Sequence, residues 1–154
     1  MIIEITCLRE DSVPPDRANP SDAGMDVFFN PLNKDDMVEI VPGENRLLET
    51  GYSFGVPHGY MLQVCNRSSM AAKKGLVVGA HIVDAGYAGE VFIDLHNIGQ
   101  KTCVVLPGDK IAQLVMVPVV HFRVSEVDSE QLYRYDQPIV LSNRGDGSLG
   151  STGA

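Results

Sequence analysis

TCVVLPGDKIAQLVMVPVV, residues 102–120, holds two runs of β-branched and apolar residues on either side of Pro-Gly-Asp. Neither run, Thr102–Leu106 or Ile111–Val119, shows helical spacing, and Pro107-Gly108-Asp109 is turn chemistry, so the stretch reads as strand, turn, strand. The same texture continues in both directions. Further strands are expected at Ile2–Leu8, Met25–Phe29, Met37–Val41, Arg46–Glu49, Tyr60–Cys65, Glu90–His96 and Phe122–Val127. Between them stand Pro14-Pro15, Pro42-Gly43 and Pro57-His58-Gly59. Many short strands with regular turns define an all-β domain: a sandwich, a jelly roll or a barrel.

One segment departs from this pattern. Asn66–Gly75 reads NRSSMAAKKG, in which Ser68 or Ser69 can cap a short helix and Gly75 suits its C-terminal turn. No internal repeat is visible. From about Ser142 onward the chain is rich in Gly, Ser and Asn, a composition that predicts a flexible tail. The expected organisation is a β-sheet catalytic domain over 1–141 and a tail over 142–154.

With 154 residues, 44% hydrophobic and 21% charged, the chain suits one globular domain. The net charge of −8 argues against nucleic acid or an anionic membrane as partner, both of which call for a basic face. Apolar runs are too short to cross a bilayer, and the first residues lack the pattern of a secretory signal. Cys7, Cys65 and Cys103 are widely spaced among apolar residues; they are expected to be small buried hydrophobes in a reducing cytoplasm.

Five short segments can carry chemistry. The tail RGDGSLGSTG (144–153) offers backbone N–H groups, hydroxyls and one guanidinium, a set able to wrap phosphates; the alternative is a solvated tail. It lacks the spacing of a Walker A loop. In NRSS, Arg67 followed by serines at a helix start can hold an anion, or be a plain helix cap beside an exposed arginine. In DAGYAGE (84–90), Asp84 at a strand end can orient and deprotonate a water and Tyr87 can lie against a sugar, or the segment is only a hairpin turn. In PSDAGMD (20–26) and PGDKIAQL (107–114), Asp26 or Gln113 can be functional, though each read singly is more often structural.

In order and wording these segments resemble the five motifs of the trimeric dUTP pyrophosphatase (dUTPase) family: PSDAGMDV, NRSSM, VVGAHIVDAGYAGE, PGDKIAQLVMVPV and RGDGSLGSTG. The resemblance implies a jelly-roll-like dUTPase fold, a homotrimer with shared active sites, and Mg²⁺-assisted hydrolysis of dUTP to dUMP and pyrophosphate by water attack on the α-phosphorus. It implies that Asp84 orients the water, and that Tyr87 packs under the deoxyribose. Uracil would be read by backbone groups around Ala80, His81, Val83 and Phe92. Arg67, Ser68, Ser69 and Gln113 would contact phosphates, with Asp26 in a supporting polar network. Arg144, Ser151 and Thr152 would clamp the terminal phosphates, and Leu149 stands where the family usually stacks a phenylalanine on uracil. Asn66 and Ser69 replace the family's usual proline and glycine. Mg²⁺ would be held through the triphosphate rather than by a protein ligand cluster. Two other activities suit the same superfamily: a dCTP deaminase, and a non-catalytic nucleotide-binding regulator. Incubation with each dNTP, followed for pyrophosphate, monophosphate and ammonia, separates them.

Overall fold

Alternation along the sequence becomes alternation of burial in the computed structural model, which describes residues 2–132. In the strand Phe92–Asn97, Ile93, Leu95 and Asn97 are buried, while Phe92 is exposed and Asp94 and His96 half-buried. Tyr60–Cys65 buries Leu62 and Val64, and Lys110–Pro118 buries Ile111, Ala112 and Leu114. Each of these aliphatic side chains contributes about 1.5–3 kcal/mol on leaving water. With Val27, Phe29, Ile40, Leu48, Phe54, Leu76 and Val105 they form one core.

The chain divides into two units, Met1–His121 and Phe122–Ala154. The strands of the first are β1 (Glu4–Cys7), β2 (Met25–Phe28), β3 (Val38–Ile40), β4 (Asn45–Glu49), β5 (Tyr52–Gly55), β6 (Tyr60–Cys65), β7 (Leu76–Val78), β8 (Ile82–Val83), β9 (Phe92–Asn97), β10 (Cys103–Val105) and β11 (Lys110–Pro118). They pair antiparallel into sheets ordered β2-β11-β6-β8, β4-β9-β7, β1-β5 and β10-β3. The fold is all-β, as the strand and turn texture requires. Among the described residues, no helix is long and apolar enough to cross a membrane.

Three local expectations change. Phe122–Val127 forms no strand: Phe122 and Val124 stay exposed, so their alternation finds no sheet to join. In its place, β5, β7 and β8 complete the sheets. The cysteines are not core residues, since Cys7 is exposed and Cys65 and Cys103 are half-buried; Cys7 lies on β1, all four of whose residues face solvent. The helix is a π-helical turn over Met70–Lys74, and neither serine caps it through its side chain.

Gly75 ends that turn at φ +67°, in the left-handed region, as its place in the sequence predicts. A Cβ there would also lie 2.8 Å from Gly99 Cα and 2.9 Å from its nitrogen, both rigid backbone atoms. Gly75→Ala is therefore expected to destabilise the fold by more than the ordinary 1–2 kcal/mol (roughly) of a left-handed alanine, read as a lower urea midpoint.

Candidate active site

Two groups of candidate side chains emerge, at separate places on the four-stranded sheet. The first follows β8. Ile82 and Val83 pair with Gln63 and Leu62 of β6, and the chain then turns through Asp84–Tyr87. The Tyr87 N–H donates to the Asp84 carbonyl at 3.3 Å, and Gly86 sits at φ +82°, as the third position of a type II turn requires. The turn is closed by backbone, so the exposed Asp84 carboxylate has no hydrogen-bond partner among the described residues and stands available to a water. The Tyr87 hydroxyl donates to the Glu90 carbonyl at 2.9 Å, and its ring lies over Gly89, where a Cβ would overlap it.

These residues line a pocket of about 240 Å³ formed by Ile82, Val83, Asp84, Tyr87, Glu90, Val91 and Phe92. Its rim is apolar and open, with Ile82 at 62%, Tyr87 at 46% and Phe92 at 40% exposure. The Glu90 carboxylate is engaged elsewhere, by Arg9 at 2.6 Å. Beside the pocket, Ala80 is exposed. The His81 main chain accepts the Val64 N–H at 2.8 Å, and its ring Nδ1 lies 3.0 Å from the Val64 carbonyl. The histidine side chain thus points to β6.

The second group lies where β2, β11 and the end of β6 meet. Gln113 pairs with Asp26 on one side and with Cys65 on the other, which sets motifs distant in sequence on one line. Asp26 accepts from Arg67 Nε at 2.8 Å and from Lys110 Nζ at 2.7 Å. Arg67 also donates to the Lys110 carbonyl at 3.3 Å, and the Lys110 ammonium stands 5.6 Å from the centre of the Phe28 ring. Gln113 Nε2 donates to the Asn66 carbonyl at 2.8 Å, and its side chain occupies the space that a Cβ on Gly24 would take. Asn66, in place of proline, uses its side-chain oxygen to accept the Val78 N–H at 2.7 Å. Ser69 takes φ −68°, ψ −35°, an ordinary helical conformation that glycine is not needed for. Ser68 and Ser69 are exposed beside Arg67. With only five residues in the helix the dipole contributes little, and the cations Arg67 and Lys110 carry the electrostatics of this end.

The two groups do not converge within one chain. Asp84 follows the Leu62↔Val83 pair, whereas Arg67 lies beyond Cys65; the intervening strand alone spans about 10 Å. Arg144, Leu149, Ser151 and Thr152 lie outside the described residues.

Lys110, Arg9 and Glu90 belong to this architecture without having stood out in the sequence. Lys110 reads as a solvated charge after a turn, and only the strand register brings it onto Asp26. Arg9 and Glu90 are 81 positions apart, and no local pattern links them.

Comparison with known proteins gives this arrangement its context. The dUTPase family model matches residues 11–152. The deoxyuridine 5′-triphosphate nucleotidohydrolase of Clostridium tetani is 38% identical over 153 residues, covering 98% of this chain and 96% of that protein. Its counterpart in Chlamydia trachomatis serovar L2 is 36% identical over 148 residues, covering 95% and 94%. Among solved structures, a point mutant of the Staphylococcus bacteriophage 80alpha dUTPase with dUpNHpp has a TM-score of 0.81 at 24% identity, with 99% of each chain covered. A mutant dUTPase from phage phi11 of S. aureus, described with a structural Mg(II) ion, has a TM-score of 0.74 at 25% identity, with 85% of this chain and 99% of that one covered. This chain belongs to the dUTPase family.

Asp26 balances two cations at once, so Asp26→Asn would leave both without a counter-ion. A charged hydrogen bond is worth about 1.5–3 kcal/mol, and a loss near the lower end of that range is expected because Arg67 and Lys110 remain partly open to water. Urea denaturation of the variant measures it.

Proposed function

We propose that the protein is a dUTP pyrophosphatase that hydrolyses dUTP to dUMP and pyrophosphate by attack of water on the α-phosphorus. Beyond family membership, the observation that carries this reading is the pairing of a carboxylate without a partner among the described residues, Asp84, with an exposed aromatic ring, Tyr87, on one turn at the mouth of an apolar pocket. Asp84 orients the attacking water and takes its proton. Tyr87 lies under the deoxyribose and leaves no room for a 2′-hydroxyl. The main chain around Ala80, His81, Val83 and Phe92 reads uracil.

Arg67, Ser68, Ser69 and Gln113 hold the phosphates, with Asp26 and Lys110 keeping Arg67 in place. Arg144, Ser151 and Thr152 close on the terminal phosphates and Leu149 covers the base. Fixed donors around the triphosphate stabilise the charge that develops on the leaving pyrophosphate. Asp26 is already ion-paired, and no group of three or more metal-binding side chains occurs among the described residues; the donor set that suits Mg²⁺ is the triphosphate itself. Bound there, Mg²⁺ would screen the phosphate charge. A deaminase would need a free acid/base carboxylate facing the base, whereas Glu90, the other carboxylate lining the pocket, is paired with Arg9.

We also propose a homotrimer in which each site joins Asp84 and Tyr87 of one subunit to Arg67 and Gln113 of another. The separation of the two groups along β6 supports sharing, as do the apolar residues left exposed at Phe92, Phe122 and Val124. The three free thiols support a reducing cytoplasm as the compartment.

A panel of dNTPs with Mg²⁺ tests the activity: dUTP should yield dUMP and pyrophosphate, and release of ammonia from dCTP would overturn the assignment. Asp84→Asn should fold, bind dUTP and lose about 10²–10⁴-fold in kcat; a rate above half of wild type would remove Asp84 from this role. Shared sites predict complementation. Asp84→Asn and Arg67→Ala chains, each defective alone, should regain activity when unfolded and refolded together. Mixed oligomers with no more activity than the sum of the parents would place each site within one chain.

A further inference from the structure

The turn that carries Asp84 and Tyr87 has no core of its own. Asp84, Gly86, Tyr87 and Ala88 are exposed, and Ala85 and Gly89 are half-buried. It is anchored before by β8, whose Val83 is buried, and by Ala85 against the core, and after by what holds the residues that follow it. Glu90 is held firmly. Its Oε1 accepts from Arg9 Nη1 at 2.6 Å and from the Gly51 N–H at 2.8 Å, and its Oε2 accepts from Arg9 Nη2 at 2.6 Å. This is the bidentate geometry in which a guanidinium fixes a carboxylate in both position and orientation. Both side chains are mostly buried, at 18% and 12% exposure. The hydrogen bonds that Arg9 donates to Glu90 hold its guanidinium above its ordinary pKa against the opposing effect of burial.

Arg9 is braced in turn. It donates to the Asn30 carbonyl at 3.3 Å, and the buried Asn30 amide bonds to the carbonyls of Val13 at 3.0 Å and Thr50 at 2.7 Å. The next residue is anchored as well: the Thr50 hydroxyl donates to the Val91 carbonyl at 2.6 Å, and the Val91 N–H to the Tyr52 carbonyl at 2.9 Å. The Glu90 carbonyl is the atom that receives the Tyr87 hydroxyl. A single residue thus joins the body of the protein, through its carboxylate, to the tyrosine ring, through its main chain.

We propose that Arg9 and Glu90 are positioning residues that set the Tyr87 ring against the sugar and thereby fix the choice between 2′-deoxyribose and ribose. The inference rests on the reading of Tyr87 as the sugar contact. A steric filter of this kind needs the ring held in place, because displacement of a contact by about 1 Å costs up to 10²-fold in such sites. Glu90 lines the pocket, but both its carboxylate oxygens are taken by Arg9 and Gly51, so the effect of the pair passes through the Glu90 carbonyl. The N-terminal strand β1 is joined to the pocket through Arg9, which follows the strand by two residues.

The test uses the full-length protein with Mg²⁺ and compares kcat/KM for dUTP and UTP, together with the melting temperature of each variant. Tyr87→Ala is measured first; an unchanged dUTP/UTP ratio there sinks the sugar-contact reading and this inference with it. If that ratio narrows, Glu90→Ala and Arg9→Ala should each narrow it by about tenfold. The double variant should be no worse than Glu90→Ala alone, because the pair acts as one unit. Glu90→Gln keeps one acceptor oxygen for Arg9 Nη1 and Gly51 but sets an amide donor against Arg9 Nη2, and should give an intermediate ratio, as should Arg9→Lys with its single contact. These two variants carry the test if the alanine variants fail to fold. A fall in melting temperature with the dUTP/UTP ratio within about twofold of wild type would make the pair a plain structural staple and overturn the proposal.

Discussion

The double pairing of β11 governs the rest of the molecule. Gln113 faces Asp26 across one edge and Cys65 across the other, and this register sets Asp26, Lys110 and Gln113 beside one another near Arg67. A slip of one residue would move Ala112 and Leu114 out of the core and turn Gln113 inward. The apolar alternation that drives the sheet to form is therefore the same constraint that assembles its polar edge. Between Lys110 and Ala112 the register shifts, leaving Ile111 as an extra residue. Such a bulge re-aims neighbouring side chains, and Lys110 lies beside it with its ammonium on Asp26.

A chain of net charge −8 that binds a polyanion must concentrate positive charge locally. Asp26 serves that end although it is itself acidic. Two cations close together repel, and one half-buried carboxylate between them lets Arg67 and Lys110 share a small volume. The pocket end is arranged differently. There Glu90 is balanced by Arg9, so Asp84 is the one carboxylate lining the pocket without a cationic partner among the described residues. Uncompensated negative charge at the pocket is thereby confined to Asp84 among the described residues.

The architecture was legible in the sequence wherever a strand was long enough to show its period. β6, β9 and β11 run to six, six and nine residues and stood out as long apolar, β-branched runs. β7 and β8 have three and two residues, too few for a period, and β5 is the YSFG segment enclosed by glycines. Phe122–Val127 shows the opposite error, because alternation reports β-propensity and says nothing of a partner. The candidate site was legible where one residue carries its own chemistry, as with Asp84 and Tyr87, which the structure sets on one turn lining a pocket. It was not legible where a role arises from register or a long-range ion pair, as with Lys110 on Asp26 and Arg9 on Glu90.

The pairing of β2 with β11 joins residues such as Asp26 and Lys110 that are 84 positions apart. During synthesis, β2 leaves the ribosome long before its partner exists. At about 5–20 residues per second, it waits several seconds with its apolar face uncovered. High contact order of this kind slows folding and exposes strand edges while it lasts. The charged and turn-forming residues that separate the early strands, including residues 33–36, interrupt the apolar runs of the chain while β2 waits for β11.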